Sequence, residues 1–204
     1  MKNLIAIMAL AAWAVVNPVA GSSIDGVHGD ADKGKQLSQT CVGCHGVDGN
    51  SAAPVWPKLA GQGQRYLREQ LAAFKSGVRN NAQMTPMVAG LDAQAMADLA
   101  AYFAGQTVTT GTVDPDQAAQ GRQLYHGGDL AQAVAACMGC HGPSGRGNPA
   151  AGYPALAGQH AAYTVSQLKA FAEGVRQHAM MSPIAANMSR AQMAAVASYI
   201  EGLY

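Results

Sequence analysis

Apolar positions along the chain follow two distinct spacings. From Leu4 to Val16 they run unbroken for thirteen residues, just behind Lys2. At Leu67, Leu71, Phe74 and Val78 they recur at i, i+4, i+7 and i+11, which predicts one buried stripe on a 3.6-period helix. Two further helices announce their own starts. Ser189 and Gln192 form a capping-box pattern ahead of Met193, Val196, Tyr199 and Ile200. Asp92 opens the counterpart that carries Met96, Leu99, Tyr102 and Phe103. No stretch sustains a period of two, so the expected class is all-α with few strands.

The opening run is too short to span a bilayer, which takes about 20 apolar residues. A charged start, a short apolar stretch and a small-residue exit read as a secretory signal peptide, cut between Ala20 and Ser23. Retention as an uncleaved anchor is the alternative. The reading places the mature chain in an exported compartment, the periplasm.

The remainder is one unit written twice. Cys41-Val-Gly-Cys44-His45-Gly46 returns as Cys137-Met-Gly-Cys140-His141-Gly142, 96 residues on. Pro57-Lys-Leu59-Ala-Gly61-Gln62 returns 97 residues on as Pro154-Ala-Leu156-Ala-Gly158-Gln159. The second offset also pairs Tyr66, Phe74 and Arg79 with Tyr163, Phe171 and Arg176, and Met84-Thr-Pro86 with Met181-Ser-Pro183. The second copy carries nine extra residues before its cysteines, including Gly127-Gly128-Asp129, expected to be a surface loop.

Composition narrows the chemistry. Charged residues make up 12% of the 204, with a net charge of +1, which excludes phosphate-driven nucleic-acid binding. Aromatics are only 6%, so each half of the repeat needs bulk from Leu, Met and Ala or from a non-protein group.

Cys-x-x-Cys-His is the attachment signature of c-type haem. Two thiols three residues apart lie on one face of a helical turn and add across the porphyrin's two vinyl groups. The next residue, histidine, supplies an imidazole to the iron. Three rivals are weaker. Zinc would have to draw on two cysteine pairs in separate repeats. A thioredoxin-like redox pair wants a βαβ context. A disulfide at this spacing makes a poor staple. We therefore expect two covalently bound haem c groups, on Cys41 and Cys44 with His45, and on Cys137 and Cys140 with His141. The sixth ligands are expected to be Met84 and Met181, in the shared Met-x-Pro frame, each held in an extended loop by its proline. Met180 and His178 are the rivals in the second half, but they align with Gln83 and Asn81. His28, His126 and His160 read as surface histidines. The divisions are a signal peptide at 1–22, a first haem-c domain at 23–106, a linker at 107–115 and a second haem-c domain at 116–204.

These motifs, with the Asn80-Asn81-x-x-Met84-x-Pro86 loop and the closing Tyr102-Phe103 helix, resemble the di-haem class I cytochromes c of the cytochrome c4 type over essentially the whole mature chain. The resemblance implies two tandem class I cytochrome c domains related by a pseudo-twofold axis. It implies low-spin irons with His/Met ligation and an electron-transfer protein rather than an enzyme. It also implies periplasmic redox partners: a quinol–cytochrome c reductase or a dehydrogenase as donor, a terminal oxidase as acceptor, with peripheral association at the inner membrane. One departure is Gln177-His178 where the first repeat has Asn80-Asn81.

With both axial positions filled by protein, transfer is outer-sphere, one electron per haem. Thioether ligation raises the potential. Backbone carbonyls near Pro57 and Pro154 are expected to accept from the histidine Nδ1–H groups. Two other functions share the motifs: an electron-transfer subunit of a dehydrogenase complex, and a di-haem peroxidase, which would need one labile distal position. Arg65, Arg68, Lys75 and Arg79 form a basic stripe absent from the second half, apart from Arg176. It reads either as a solvated helix face or as a docking patch for an acidic partner.

Overall fold

Each half begins at an aspartate whose carboxylate takes up the orphan N–H groups of its first helix. Asp30 accepts from Asp32 and Lys33 at the start of α1 (Ala31–Leu37). Asp114 accepts from Asp116 ahead of α6 (Pro115–Gly127), where Pro115 stands in the first turn and forfeits no helical bond. The computed structural model describes residues 26–204, so the expected signal segment lies outside the described residues.

The first half continues with α2 (Val42–His45), α3 (Gln64–Ser76), α4 (Met84–Val88) and α5 (Ala93–Ala104). The second repeats the order with α7 (Met138–His141), α8 (Ala161–Ala172), α9 (Met181–Ala186) and α10 (Arg190–Glu201). Both sequence-predicted starts are present: Asp92 caps α5 through Ala95 N–H, and Ser189 and Gln192 close a reciprocal capping box on α10. Among the described residues the only β-type pairings are two isolated bridges, Asp129 with Val134 and Asn148 with Tyr153. The all-α expectation therefore stands. No helix among the described residues is long and apolar enough to cross a membrane.

In each half the first helix crosses the last at a glycine. A Cβ on Gly34 would collide with the Asp98 carbonyl, and one on Gly121 with the Ala195 carbonyl. Small residues here let two backbones approach to a distance that no other residue permits. The third helix of each half then packs on the last. Leu67, Leu99, Ala100 and Phe103 form the buried core of the first half, with half-buried Cys41, Leu59, Leu71 and Leu91 against it. The second core is larger, built on Leu124, Tyr125, Leu168, Phe171, Val196 and Ile200.

Three expectations need correction. Val78 does not extend the stripe of α3: the helix ends at Gly77 in the left-handed conformation, leaving Val78 79% exposed. The Met-x-Pro segments are not extended. Met84 and Met181 each begin a short helix, with the proline in the first turn, where a missing N–H breaks no bond. The nine-residue insertion is not a bare loop either. It forms a 3₁₀ turn at Leu130–Gln132, buries Val134, and accepts the Gln192 amide on Asp129 Oδ2 at 2.9 Å.

Residues 107–114 have neither helix nor strand but are tied to both halves. Asn50 Oδ1 accepts from Thr109 N–H at 2.8 Å, and Gly111 N–H donates to the Glu201 carbonyl at 2.8 Å. The two halves meet through side chains that reciprocate across the repeat. Arg79 donates to Tyr163 and Gln167, while Arg176 donates to Tyr66 and Gln70. Reciprocal contacts of this kind are what a twofold relation produces.

Candidate functional site

The CxxCH motif of each half forms a single helical turn. In the first, the Cys41 carbonyl accepts from Cys44 N–H at 3.2 Å and from His45 N–H at 2.9 Å. The second copy matches, with 3.3 Å and 2.9 Å from Cys137. At this pitch residues three apart share a face, so the two thiols of each pair stand side by side. Gly46 and Gly142 then end the turns with φ near +79° and +78°, a region other residues avoid, and redirect the chain past the histidine.

No disulfide joins any of the four cysteines among the described residues. Burial pushes the Cys41 thiol up and drives the Cys137 thiol to about 11. Among the described residues no group of three or more His, Cys, Asp or Glu side chains is arranged to hold a metal ion.

The histidines are the most constrained groups in each half. His45 and His141 are both 6% exposed. Their Nδ1 atoms stand 2.8 Å from the carbonyls of Pro57 and Pro154, as the sequence led us to expect. A carbonyl can only accept, so Nδ1 carries the proton and Nε2 is left with its lone pair for a metal. Burial holds both imidazoles below their ordinary value, against the carbonyl bond that favours the charged form. For His141 the neighbouring His178 adds to the downward shift. Each site thus holds a buried imidazole beside a pair of thiols, the first of each pair, Cys41 or Cys137, set against apolar neighbours. That donor set fits an apolar macrocycle with an iron at its centre.

Met84 and Met181 occupy the same place, the first residue of a short helix, and both are half-buried. Met181 packs against the second core beside Ile184, whereas Met180 is 50% exposed. The structure also resolves the Asn81/His178 departure. Asn81 Oδ1 accepts from Gln83 N–H at 3.0 Å and Met84 N–H at 2.9 Å. His178 Nδ1 does the same for Met180 and Met181, at 3.2 Å and 3.3 Å. The histidine is therefore a cap that mimics asparagine, and its Nδ1 lone pair is already engaged.

Two other expectations fall. His28 is exposed and His126 half-buried, but His160 is 8% exposed, with Nε2 donating to the Ser51 carbonyl of the other half at 2.8 Å. The basic stripe is not a uniform solvent-facing patch. Arg65 donates to the Ala150 carbonyl at 3.0 Å and Arg79 to Tyr163 at 2.9 Å, so two of its four members bind the second half.

Sequence reasoning missed the residues that join the halves. Gln159 accepts from Lys58 N–H at 2.9 Å and donates to the Lys58 carbonyl at 2.9 Å. Gln62 accepts from Ala155 N–H at 2.8 Å and donates to the Ala155 carbonyl at 3.0 Å. The available signal was the repetition of polar residues, Gln62, Tyr66 and Arg79, at positions that no cofactor requires.

Comparison with known proteins agrees with this geometry. The family model described as cytochrome c matches twice, at residues 31–106 and 118–203. Cytochrome c4 of Pseudomonas aeruginosa is 48% identical over 180 residues, covering 86% of this chain and 90% of the relative. The crystal structure of reduced recombinant cytochrome c4 from Pseudomonas stutzeri superposes with a TM-score of 0.84 at 46% identity, covering 86% of this chain and all of that one. A thiosulfate dehydrogenase electron acceptor of Thiomonas intermedia is 37% identical over 169 residues, covering 79% of this chain and 77% of the relative.

Proposed function

Because the chain belongs to the cytochrome c family and carries two covalently bound haem c groups, we propose that Cys41 and Cys44 hold the first and Cys137 and Cys140 the second. His45 with Met84, and His141 with Met181, are the axial ligands. The reading rests on one observation, the pair of buried histidines whose Nδ1–H groups donate to Pro57 and Pro154 at the same 2.8 Å. When bound, each haem supplies a one-electron Fe(III)/Fe(II) couple.

The chain's own residues do the rest. The prolyl carbonyls fix the histidine tautomer and orientation, so the coordinating nitrogen is presented without a competing proton. The thioether sulfur of each methionine is a soft donor that favours Fe(II) and raises the potential. Asn81 and His178 hold the backbone of those methionines, and the leucine-rich linings keep water from the site. With a histidine and a methionine as the two axial donors of each site, no position is kept for a substrate, in keeping with an electron carrier rather than an enzyme.

The finer reading is a periplasmic carrier in a bacterial respiratory chain. It would accept electrons from a quinol–cytochrome c reductase or a periplasmic dehydrogenase and deliver them to a terminal oxidase, with peripheral association at the inner membrane. A dehydrogenase donor is supported by the Thiomonas intermedia relative, whose name makes it the electron acceptor of such an enzyme. We assign 1–22 as signal peptide, 23–106 and 116–204 as the haem-c domains and 107–115 as linker.

Protein isolated from periplasmic extract should carry two haems that survive denaturation and acid–acetone extraction, in a chain lacking its first twenty or so residues. A mass matching the bare polypeptide overturns the attachment sites. Reduction by a periplasmic dehydrogenase and reoxidation by membranes containing the terminal oxidase test the partners. Failure of both exchanges would remove the carrier role assigned between them.

A further inference from the structure

The peptide that accepts from each histidine is engaged on its other side by the opposite domain. In the unit joining Pro57 to Lys58, the carbonyl accepts from His45 Nδ1 at 2.8 Å while the N–H donates to Gln159 Oε1 at 2.9 Å. In the unit joining Pro154 to Ala155, the carbonyl accepts from His141 at 2.8 Å while the N–H donates to Gln62 Oε1 at 2.8 Å. Each glutamine returns its amide to the carbonyl of the same residue, at 2.9 Å and 3.0 Å, so it grips the backbone as a neighbouring strand would. Gln62 is 7% exposed and Gln159 half-buried.

A peptide group is a conjugated unit. Donating its N–H shifts electron density toward its own carbonyl oxygen, and in a low-dielectric interior such chained bonds strengthen one another. A stronger carbonyl acceptor draws the Nδ1 proton further from the imidazole, which makes Nε2 a better donor to iron. A more basic axial ligand stabilises Fe(III) and lowers the potential.

We propose that Gln159 and Gln62 are positioning residues that act across the domain interface, each setting the reduction potential of the haem in the opposite domain through the proximal histidine's hydrogen bond. This rests on His45 and His141 being iron ligands. Each domain is then tuned by a side chain it does not contain, and the potentials depend on the domains staying docked.

The test is spectroelectrochemical titration of the holoprotein with Gln159→Met and Gln62→Met, which keep side-chain length but lose the amide. The haems are told apart by repeating each titration in a Met84→His or Met181→His background. Gln159→Met should raise the potential of the first haem, increasing its ferrous-to-ferric ratio at fixed applied potential roughly two- to five-fold, as expected if one bond contributes about 10–30% of the next. The second haem should stay where it was. Gln62→Met should show the mirror image. Simple loosening of the interface has the opposite sign, because water reaching both haems favours Fe(III) and lowers both potentials. A joint fall, a shift confined to the substituted domain, or no shift at all would overturn the proposal. The ligand reading fails separately: His45→Ala would then leave the low-spin spectrum of the first haem intact.

Discussion

Replacing Arg79 by alanine should loosen the two domains without touching either haem site. The side chain donates to Gln70 in its own domain at 2.8 Å, and to Tyr163 and Gln167 across the interface at 2.9 Å and 2.8 Å. Its guanidinium also lies 4.5 Å above the Phe74 ring. A hydrogen bond to a charged group contributes about 1.5–3 kcal/mol net. The arginine is only half-buried, so the lower end applies, giving about 3 kcal/mol for the two cross-domain bonds. The ring contact lies within the first domain and does not oppose undocking, while freed side-chain entropy returns up to about 2 kcal/mol. The net cost is about 1–2 kcal/mol, a 5- to 30-fold rise in the undocked population.

The pair of arginines offers a sharper check than either alone. Gln70 Oε1 accepts from Arg79 and from Arg176, and Gln167 Oε1 does likewise. Two guanidinium groups therefore share two acceptors, and removing one relieves repulsion on the other. Equilibrium denaturation of wild type, Arg79→Ala, Arg176→Ala and the double variant should show a double cost larger than the sum, by at least about 0.5 kcal/mol. Strict additivity, or single variants as stable as wild type, would refute the shared network.

The other predictions concern the ligand loops and pH. Met84→His should lower the first haem's potential with little effect on the second, and Met181→His the converse, while Met180→Leu should leave the near-infrared sulfur–iron band at full intensity. His178→Ala removes the acceptor for Met180 and Met181 N–H; a cap of this kind contributes about 1 kcal/mol, so the second sulfur ligand should dissociate at a lower temperature while the first is unaffected. His178→Asn should restore it. Burial holds His45 and His141 below the ordinary 6.5, so the folded state prefers them neutral. Their contribution to stability is complete above 6.5 and is lost progressively as pH falls from there to the depressed folded value. The low-spin spectrum should be unchanged from about pH 8 down to 6.5, and its loss within that interval would contradict the assigned environment.

Much of this protein is written locally. A thiol pair and imidazole at CxxCH spacing can form one helical turn without help from the rest of the chain. Ser189 with Gln192, and Asp92, satisfy nearby N–H groups, so the helix starts they mark need no tertiary context. The repeat disclosed that the chain is two copies of one unit, because related folds preserve the order of their motifs. The matched Met84-x-Pro86 and Met181-x-Pro183 frames were legible for the same reason.

Other features depended on residues far apart in the chain. His160 looked like a surface residue because its burial partner, Ser51, lies 109 positions away. Arg79 looked like part of a charged stripe because Tyr163 and Gln167 reach it only once the halves dock. Which peptide carries the histidine's acceptor could be guessed from the proline. That the opposite domain's glutamine holds the same peptide could not. Backbone propensity and capping are properties of neighbours in sequence, whereas a cross-domain hydrogen bond exists only when two separately folded surfaces are brought within about 3 Å. Sequence alone disclosed the two CxxCH turns and their histidines, and tertiary structure decided that the peptide behind each histidine is held by a side chain from the other domain.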